Sequence, residues 1–244
     1  MDNRQIEVNR ISLIIPAYNE GERLGQTLNS YVRYLSEVTS DKAEIIVICN
    51  GCTDKTPQIA EEFSLRFPQV KAINIPERIG KGAAISVGFR MAHGAIIAFV
   101  DADGSIKPEE MGKLIEAIDQ GYDAAIASRW LSGAQIEIEK PLNWRLASRV
   151  FNLLVRLLFR LPFNDTQCGA KAFKDYVIHN LTQHLKVSGM SFDVELLWRA
   201  KQRGYKIKEV PITWEHKQKV GLTNNLSRTI PRMAIEIMKL RLRP

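Results

Sequence analysis

The stretch AIIAFVDADGS, residues 95–105, decides the fold. Its first six residues form an unbroken apolar run, too short for an ordinary helix, and predict a strand over 95–100 buried on both faces. Strands covered on both faces belong to parallel sheets with helices packed above and below. The run stops at Asp101, and Asp103 and Gly104 follow at once, which is the composition of a turn. Two carboxylates two residues apart, just beyond a buried strand end, can both turn toward one cation. Hard divalent ions such as Mg²⁺ or Mn²⁺ take oxygen ligands of this kind. Asp101 and Asp103 are therefore candidate metal ligands, although the same residues also suit an ordinary polar turn.

Upstream, strand and helix patterns alternate. ISLIIP (11–16) is a strand ended by Pro16. Residues 21–37 place Leu24, Leu28, Tyr31, Val32 and Leu35 at helical spacing. A strand over 44–49 stops at Asn50-Gly51. A helix over 55–66 follows, capped by Thr53 or Asp54, with Pro57 in its first turn. A strand over 70–75, a glycine-bearing loop and a helix over 83–92 lead back to the opening stretch. Downstream, Pro108 opens a helix to about Asp119, and DAAIAS (123–128) is a fifth strand. The alternation predicts an α/β fold, a mostly parallel sheet with helices on both faces. Such sheets bind ligands outside the carboxyl ends of their strands. That directs attention to residues 16–20, 50–54, 101–105 and 128–129.

The second half reads differently. Residues 130–142 lack periodicity and predict a loop. NWRLASRVFNLLVRLLFRL (143–161) predicts a helix whose only charges are four arginines. Two readings stay open for it: an interfacial helix with arginines reaching toward phosphate headgroups, or a core-packing helix with a solvated arginine face. A further helix over 191–203, a strand over 206–214 and a basic amphipathic helix over 225–242 complete the pattern.

Composition bounds the answer. The 244 residues suffice for a single α/β domain with a sizeable core. The net charge of +7 points to an anionic partner. No RNP, KH, helix-turn-helix or zinc pattern supports nucleic acid as that partner. Three cysteines are too few for a disulfide framework, and Cys49 and Cys52 form a lone CxxC. The opening MDNRQIEVNR is polar, unlike a secretory signal, and no window reaches the uncharged apolar length of a membrane span.

The remaining strand ends carry chemistry of their own. After the first strand come Pro16, Tyr18 and Glu20; Tyr18 suits stacking on a base or ribose and Glu20 suits ribose hydroxyls. Asn50-Gly51-Cys52-Thr53-Asp54 follows the second. In Arg78-Ile79-Gly80-Lys81-Gly82 the glycines would let backbone approach a phosphate, and Lys81 adds charge. The Walker spacing is missing, so this is no P-loop.

In this order the phrases SLIIPAYNE, NGCTDKT, RIGKGAAISVGF, FVDADGS and SR resemble family 2 glycosyltransferases of the A fold, over residues 11–129. The resemblance implies that Pro16, Tyr18, Glu20, Asn50, Asp54, Lys81 and Asp101 meet a nucleotide sugar. It also implies that Asp101 and Asp103 bind a metal–diphosphate complex. In the second half, DTQCG (165–169), Lys171, Phe173 and FDVEL (192–196) are similar to the dolichyl-phosphate glucosyltransferase and mannosyltransferase branch. By that likeness Arg129, Arg149 and Lys171 grip the acceptor phosphate. Asp193 orients a sugar hydroxyl, acts as a base toward a hydroxyl acceptor, or is simply a helix cap.

Three positions depart from the pattern. Cys49 and Asn50 stand where adjacent carboxylates are usual, Ser105 where mannosyl enzymes often carry glutamine, and Gly221-Leu222-Thr223 where Gly-x-Ser-Lys is common.

The resemblance thus implies an inverting, Mg²⁺- or Mn²⁺-dependent transfer of a hexose from UDP-glucose or GDP-mannose to a polyprenyl or dolichyl phosphate. The protein would sit peripherally on the cytoplasmic membrane face. Residues 11–129 would serve the nucleotide sugar, 130–224 the acceptor and 225–244 the membrane. A glycan hydroxyl as acceptor, or a non-catalytic nucleotide-binding membrane protein, are the alternatives.

Overall fold

The computed structural model describes residues 11–39, 42–137, 142–215 and 226–242. Along the chain run β1 (Ile11–Ala17), α1 (Leu24–Thr39), β2 (Ala43–Asn50), α2 (Thr56–Arg66), β3 (Val70–Ile75), α3 (Lys81–Met91), β4 (Ile96–Val100), α4 (Pro108–Asp119) and β5 (Ala124–Ser128). The second half adds β6 (Gln135–Ile136), α5 (Leu142–Phe159), β7 (Ala170–Lys174), α6 (Asp175–Thr182), α7 (Phe192–Gln202), β8 (Ile207–Pro211), β9 (Thr213–Trp214) and α8 (Leu226–Leu242).

Seven strands form one sheet in the order β3-β2-β1-β4-β7-β5-β8. The alternating side chains of β4 show why its whole run is apolar. Ile96, Ala98 and Val100 join Leu13, Ile15, Leu28 and Leu114 on the face covered by α1 and α4. Ile97 and Phe99 join Ile14, Ile85, Val177 and Leu196 on the face covered by α3, α6 and α7. Helix α1 follows its pattern, burying Leu24, Leu28, Tyr31 and Leu35 along one stripe. Helix α4 opens on Pro108 with Glu109 and Glu110 in its first turn, where negative charge suits the helix dipole.

The mostly parallel sheet is as expected, but its centre is not. β7 lies between β4 and β5 and is antiparallel to both. Its sequence AKAFK shows no strand pattern of its own beyond the Lys171 and Phe173 motif positions. Helix α6, of eight residues, follows it directly. The expected strand over 206–214 divides into β8, parallel to β5, and β9, which pairs with β6 inside the expected loop over 130–142. β1 runs one residue past Pro16, where it has already parted from β4, since that ladder ends at Ile14–Phe99. On that side Pro16 stands at an edge, which is where a residue without an N–H is tolerated. Residues 1–10, 138–141, the Gly221-Leu222-Thr223 departure and residue 225 lie outside the described residues.

The core-packing reading of the arginine-studded helix holds for one face of α5, and the other face is exposed. Phe151, Val155 and Phe159 pack with Val194, Leu197 and Trp198 of α7 and with Ile237 and Leu240 of α8. Leu146, Val150, Leu153 and Leu157, at a spacing of four, three and four, are each more than half exposed. On α8, Ile235, Met238 and Leu242 are exposed in turn.

Candidate active site

The turn after β4 is held from two sides. Asp101 donates its N–H to the Gly169 carbonyl at 3.0 Å, and Thr27 Oγ1 on α1 donates to the Ala102 carbonyl at 3.0 Å. Asp103 Oδ1 accepts the Ser105 N–H at 2.9 Å, closing an Asx turn. Gly169 has no room for a side chain: a Cβ there would lie 2.0 Å from Asp101 Oδ2. The Asp101 side chain keeps 39% of its surface open to solvent. Ser105 Oγ, beside this carboxylate pair in the chain, is shielded and has no hydrogen-bond partner among the described residues. Hard oxygen donors thus gather at one strand end, the donor set a Mg²⁺ or Mn²⁺ ion takes.

A line of alternating charges runs inward from Asp101. Lys81, the first residue of α3, places Nζ 2.6 Å from Asp101 Oδ1 and 4.0 Å from Asp193 Oδ2. Lys171 Nζ lies 2.5 Å from Asp193 Oδ1 and 2.8 Å from the Cys168 carbonyl. Burial alone would lower the Lys81 ammonium, but the charges of Asp101 and Asp193 outweigh it and hold its pKa above that of an ordinary lysine. Lys171, on the central strand β7, is fully buried. Its amine is committed to Asp193 and a backbone carbonyl and forms the floor of the site. Asp193 sits in the first turn of α7, after the cap residue Ser191, and is only 2% exposed. The glycines beside Lys81 meet protein: a Cβ on Gly80 would lie 2.4 Å from the Ser188 carbonyl oxygen, and one on Gly82 2.5 Å from Phe192 Cβ. They bring α3 close to the start of α7, which sets Lys81 between its two carboxylates.

The ends of β1 and β2 are laced together. Asn19, at φ 53°, accepts the Thr53 N–H, and Asp54 accepts the Gly21 N–H together with the N–H and hydroxyl of Thr56. Burial raises the Asp54 carboxyl, but these hydrogen bonds prevail and its pKa is lowered. Asn50 accepts the Ile79 N–H at 2.8 Å and so fixes the loop before α3. Glu20 pairs with Arg23. The Arg78 guanidinium lies over the Tyr18 ring, 4.0 Å from its centroid. Asn50 and Asp54 therefore build the loops, while Arg78 stacks on Tyr18. In the sequence Arg78 stands only as the first residue of the glycine-bearing loop motif.

The third group lies at the end of β5. Arg129 makes a two-pronged pair with Asp165, at 2.7 and 2.9 Å, and its backbone N–H donates to the same carboxylate. Burial would lower this guanidinium, but the Asp165 charge raises it instead. Glu209 on β8 accepts the backbone N–H groups of Asn164 and Asp165 and locks that loop. The Arg149 guanidinium lies 5.0 Å from the Trp130 ring, and that of Arg129 6.0 Å from the same ring. Sequence spacing could not reveal Asp165 as the partner of Arg129, because 36 residues separate them.

Among the described residues no three His, Cys, Asp or Glu side chains cluster as a metal cage. A cavity of about 640 Å³ opens between α1 and the start of α4, lined by Thr27, Tyr34, Lys107, Glu109 and Glu215. It touches the Asp101–Ser105 turn only through Gly104.

Residues 12–181 match the family model Glycosyl transferase family 2. Glycosyltransferase AglD of Haloferax volcanii is 32% identical over 88% of this chain, which spans 35% of that relative. A dolichyl-phosphate beta-glucosyltransferase of Trichomonas vaginalis is 31% identical over 94% of this chain and 70% of its own length. Polyprenol monophosphomannose synthase of Mycolicibacterium smegmatis is 31% identical over 86% of this chain and 78% of its own. Glucosyl-3-phosphoglycerate synthase from Mycobacterium tuberculosis, solved with Mn²⁺, UDP and glucosyl-3-phosphoglycerate, has the same fold. The TM-score is 0.71 at 19% identity, over 96% of this chain and 80% of that one.

Proposed function

The chain belongs to glycosyl transferase family 2, and from that premise we propose that it transfers one hexose, with inversion, from UDP-glucose or GDP-mannose to a polyprenyl or dolichyl phosphate. The observation that carries this reading is the meeting of two groups on one loop. The Asp165–Gly169 segment holds Asp101 at one end, through Gly169, and Arg129 at the other, through Asp165. A carboxylate pair suited to a metal–diphosphate donor thus shares a support with a guanidinium suited to an anionic acceptor. The relatives named for dolichyl-phosphate and polyprenol substrates add weight to the acceptor class.

The chemistry asks little of a base. A phosphate monoester has its second pKa near about 6, so at neutral pH the attacking oxygen already carries its charge. That oxygen bonds to the anomeric carbon on the face opposite the leaving group. The bond from that carbon to the diphosphate breaks, its electron pair leaves with the nucleoside diphosphate, and no proton need move. Asp101 and Asp103 would hold a divalent cation, Mg²⁺ or Mn²⁺, which supplies charge neutralisation to the leaving diphosphate. Lys81 keeps Asp101 oriented, and Tyr18 with Arg78 offers a stacking surface for the nucleoside. A hydroxyl acceptor would need a base, and the candidate base Asp193 is buried and bound to Lys171. That disfavours the glycan-acceptor alternative.

In this reading residues 11–129 serve the donor, 130–224 the acceptor, and α8 with the outer face of α5 meets the membrane. The exposed leucines of α5 lie beside Arg149, with Lys239 and Arg241 in the last turn of α8. That suits shallow insertion beneath anionic headgroups, on the cytoplasmic face. No helix among the described residues is long and apolar enough to cross a bilayer. The test is an acceptor series of polyprenyl phosphate, polyprenol and a free glycan, offered with UDP-glucose and then GDP-mannose. Sugar should appear on the phosphate alone; equal labelling of the glycan would refute the proposal.

A further inference from the structure

Three residues tied to the Arg129–Asp165 pair carry buried hydrogen-bond donors that lack an acceptor among the described residues. Trp130 Nε1, Asn152 Nδ2 and Gln167 Nε2 are each shielded from solvent and lack an acceptor among the described residues. Trp130 follows Arg129 in the chain and lies within cation–π range of it. Gln167 donates its backbone N–H to Asp165 Oδ1 at 3.3 Å. Asn152 is 4% exposed and spends its Oδ1 on the N–H and hydroxyl of Thr166, which leaves the amide nitrogen as its unpaired end. Native interiors seldom leave buried donors unpaired, so three of them on residues tied to one ion pair indicate a missing acceptor. The nearest carboxylate cannot supply it. Both oxygens of Asp165 are occupied by Arg129, and one also takes the Gln167 N–H. A neighbouring guanidinium, Arg149, adds positive charge on the Trp130 ring.

We propose that the side-chain N–H groups of Trp130 and Gln167 bind the phosphate of the acceptor, a phosphate monoester, beside Arg129 and Arg149. The inference rests on the transfer reading above and names two residues that it does not use. Neutral donors suit this task. The monoester dianion accepts strong charge-assisted hydrogen bonds, whereas the phosphodiester formed by transfer carries one charge fewer and is held less tightly. Directed N–H groups therefore favour acceptor over product, and either over the uncharged polyprenol.

Binding tests this without turnover. Polyprenyl phosphate and polyprenol, each in detergent micelles, are titrated against the wild-type protein, Trp130→Phe and Gln167→Glu, and UDP with Mn²⁺ is titrated in parallel. The wild type should prefer the phosphate over the alcohol. Each variant should weaken phosphate binding about ten-fold or more, as expected for losing a hydrogen bond to a charged group, while UDP affinity stays within about two-fold. Phosphate affinity unchanged in both variants would mean that the two donors face trapped water, and would overturn the proposal. An equal loss of UDP affinity would assign them to the donor's diphosphate and overturn it as well. Trp130→Phe keeps the ring in place and decides the matter alone if Gln167→Glu lowers the melting temperature. A wild-type protein that binds lipid phosphate selectively but transfers no sugar would count against the transfer reading, not against these donors.

Discussion

Gly169 and Asp101 are the residues on which the site turns. A methyl group at Gly169 would lie 2.0 Å from an Asp101 oxygen, so Gly169→Ala must push that carboxylate from its place. The expected outcome is a loss of transfer of about ten-fold or more. The chain fold, read by circular dichroism, should remain. Asp101→Asn keeps the shape, removes the charge and breaks the pair with Lys81. It should abolish metal-dependent transfer, whereas activity at several per cent of wild type with no metal requirement would exclude Asp101 from the site. The sequence exposed both aspartates because they follow an unmistakable buried strand. It hid the roles of Lys171 and Asp165, because a buried lysine and a buried aspartate carry no local sign of the partner that makes burial tolerable.

At the scale of elements, α5 offers a sharp contrast. Phe159 is buried and meets Trp198 edge-on at 5.2 Å, so Phe159→Ala should cost about 3–5 kcal/mol in denaturant unfolding. Leu157, two residues away, is 70% exposed. Leu157→Ser should change stability by about 0.5 kcal/mol or less but weaken sedimentation with anionic liposomes. Equal liposome binding by that variant and the wild type would remove the outer face of α5 from any membrane contact.

Glu44 ties neighbouring strands together. It accepts from Ser12 on β1, from Lys71 on β3 and from the His93 N–H. Burial raises its carboxyl, but the hydrogen bonds from Lys71, Ser12 and His93 outweigh that and lower the pKa. A carboxyl whose folded pKa lies below its unfolded value stabilises above the unfolded value, about 4.3, and loses that contribution as pH falls through the folded one. Glu44→Gln should therefore lower the melting temperature at pH 7, and the difference should fade below about pH 4. A constant difference across that range would mean packing rather than charge.

The elements also show where legibility ends. Helices such as α1 declare themselves by period, and the parallel strands by unbroken apolar runs. β7 has five residues, with Lys171 and Phe173 on one side of its pleat and Ala170, Ala172 and Lys174 on the other. Local pattern does not say that such a strand enters the sheet's centre in reverse. The signal for α6 was present, in Val177, Ile178 and Leu181 after Asp175, but a helix of eight residues carries little weight against motif residues on either side.

Across the whole molecule, the first half builds the strand ends that carry Tyr18, Asp101 and Asp103, and the second half completes the sheet with a reversed strand, a charged floor and an arginine-bearing helix. The alternation of β and α announced the first half; the second depends on contacts between residues far apart in sequence, such as Asn164 and Asp165 with Glu209. The central claim is that these parts together move a sugar to a lipid phosphate. Transfer of radiolabelled sugar from UDP-glucose and from GDP-mannose to polyprenyl phosphate in detergent, with and without Mn²⁺, tests it most directly. Label entering the lipid phase from one donor, only when the cation is present, is the expected result. Label that stays in water with both donors, or that reaches the lipid equally well without the cation, would contradict it.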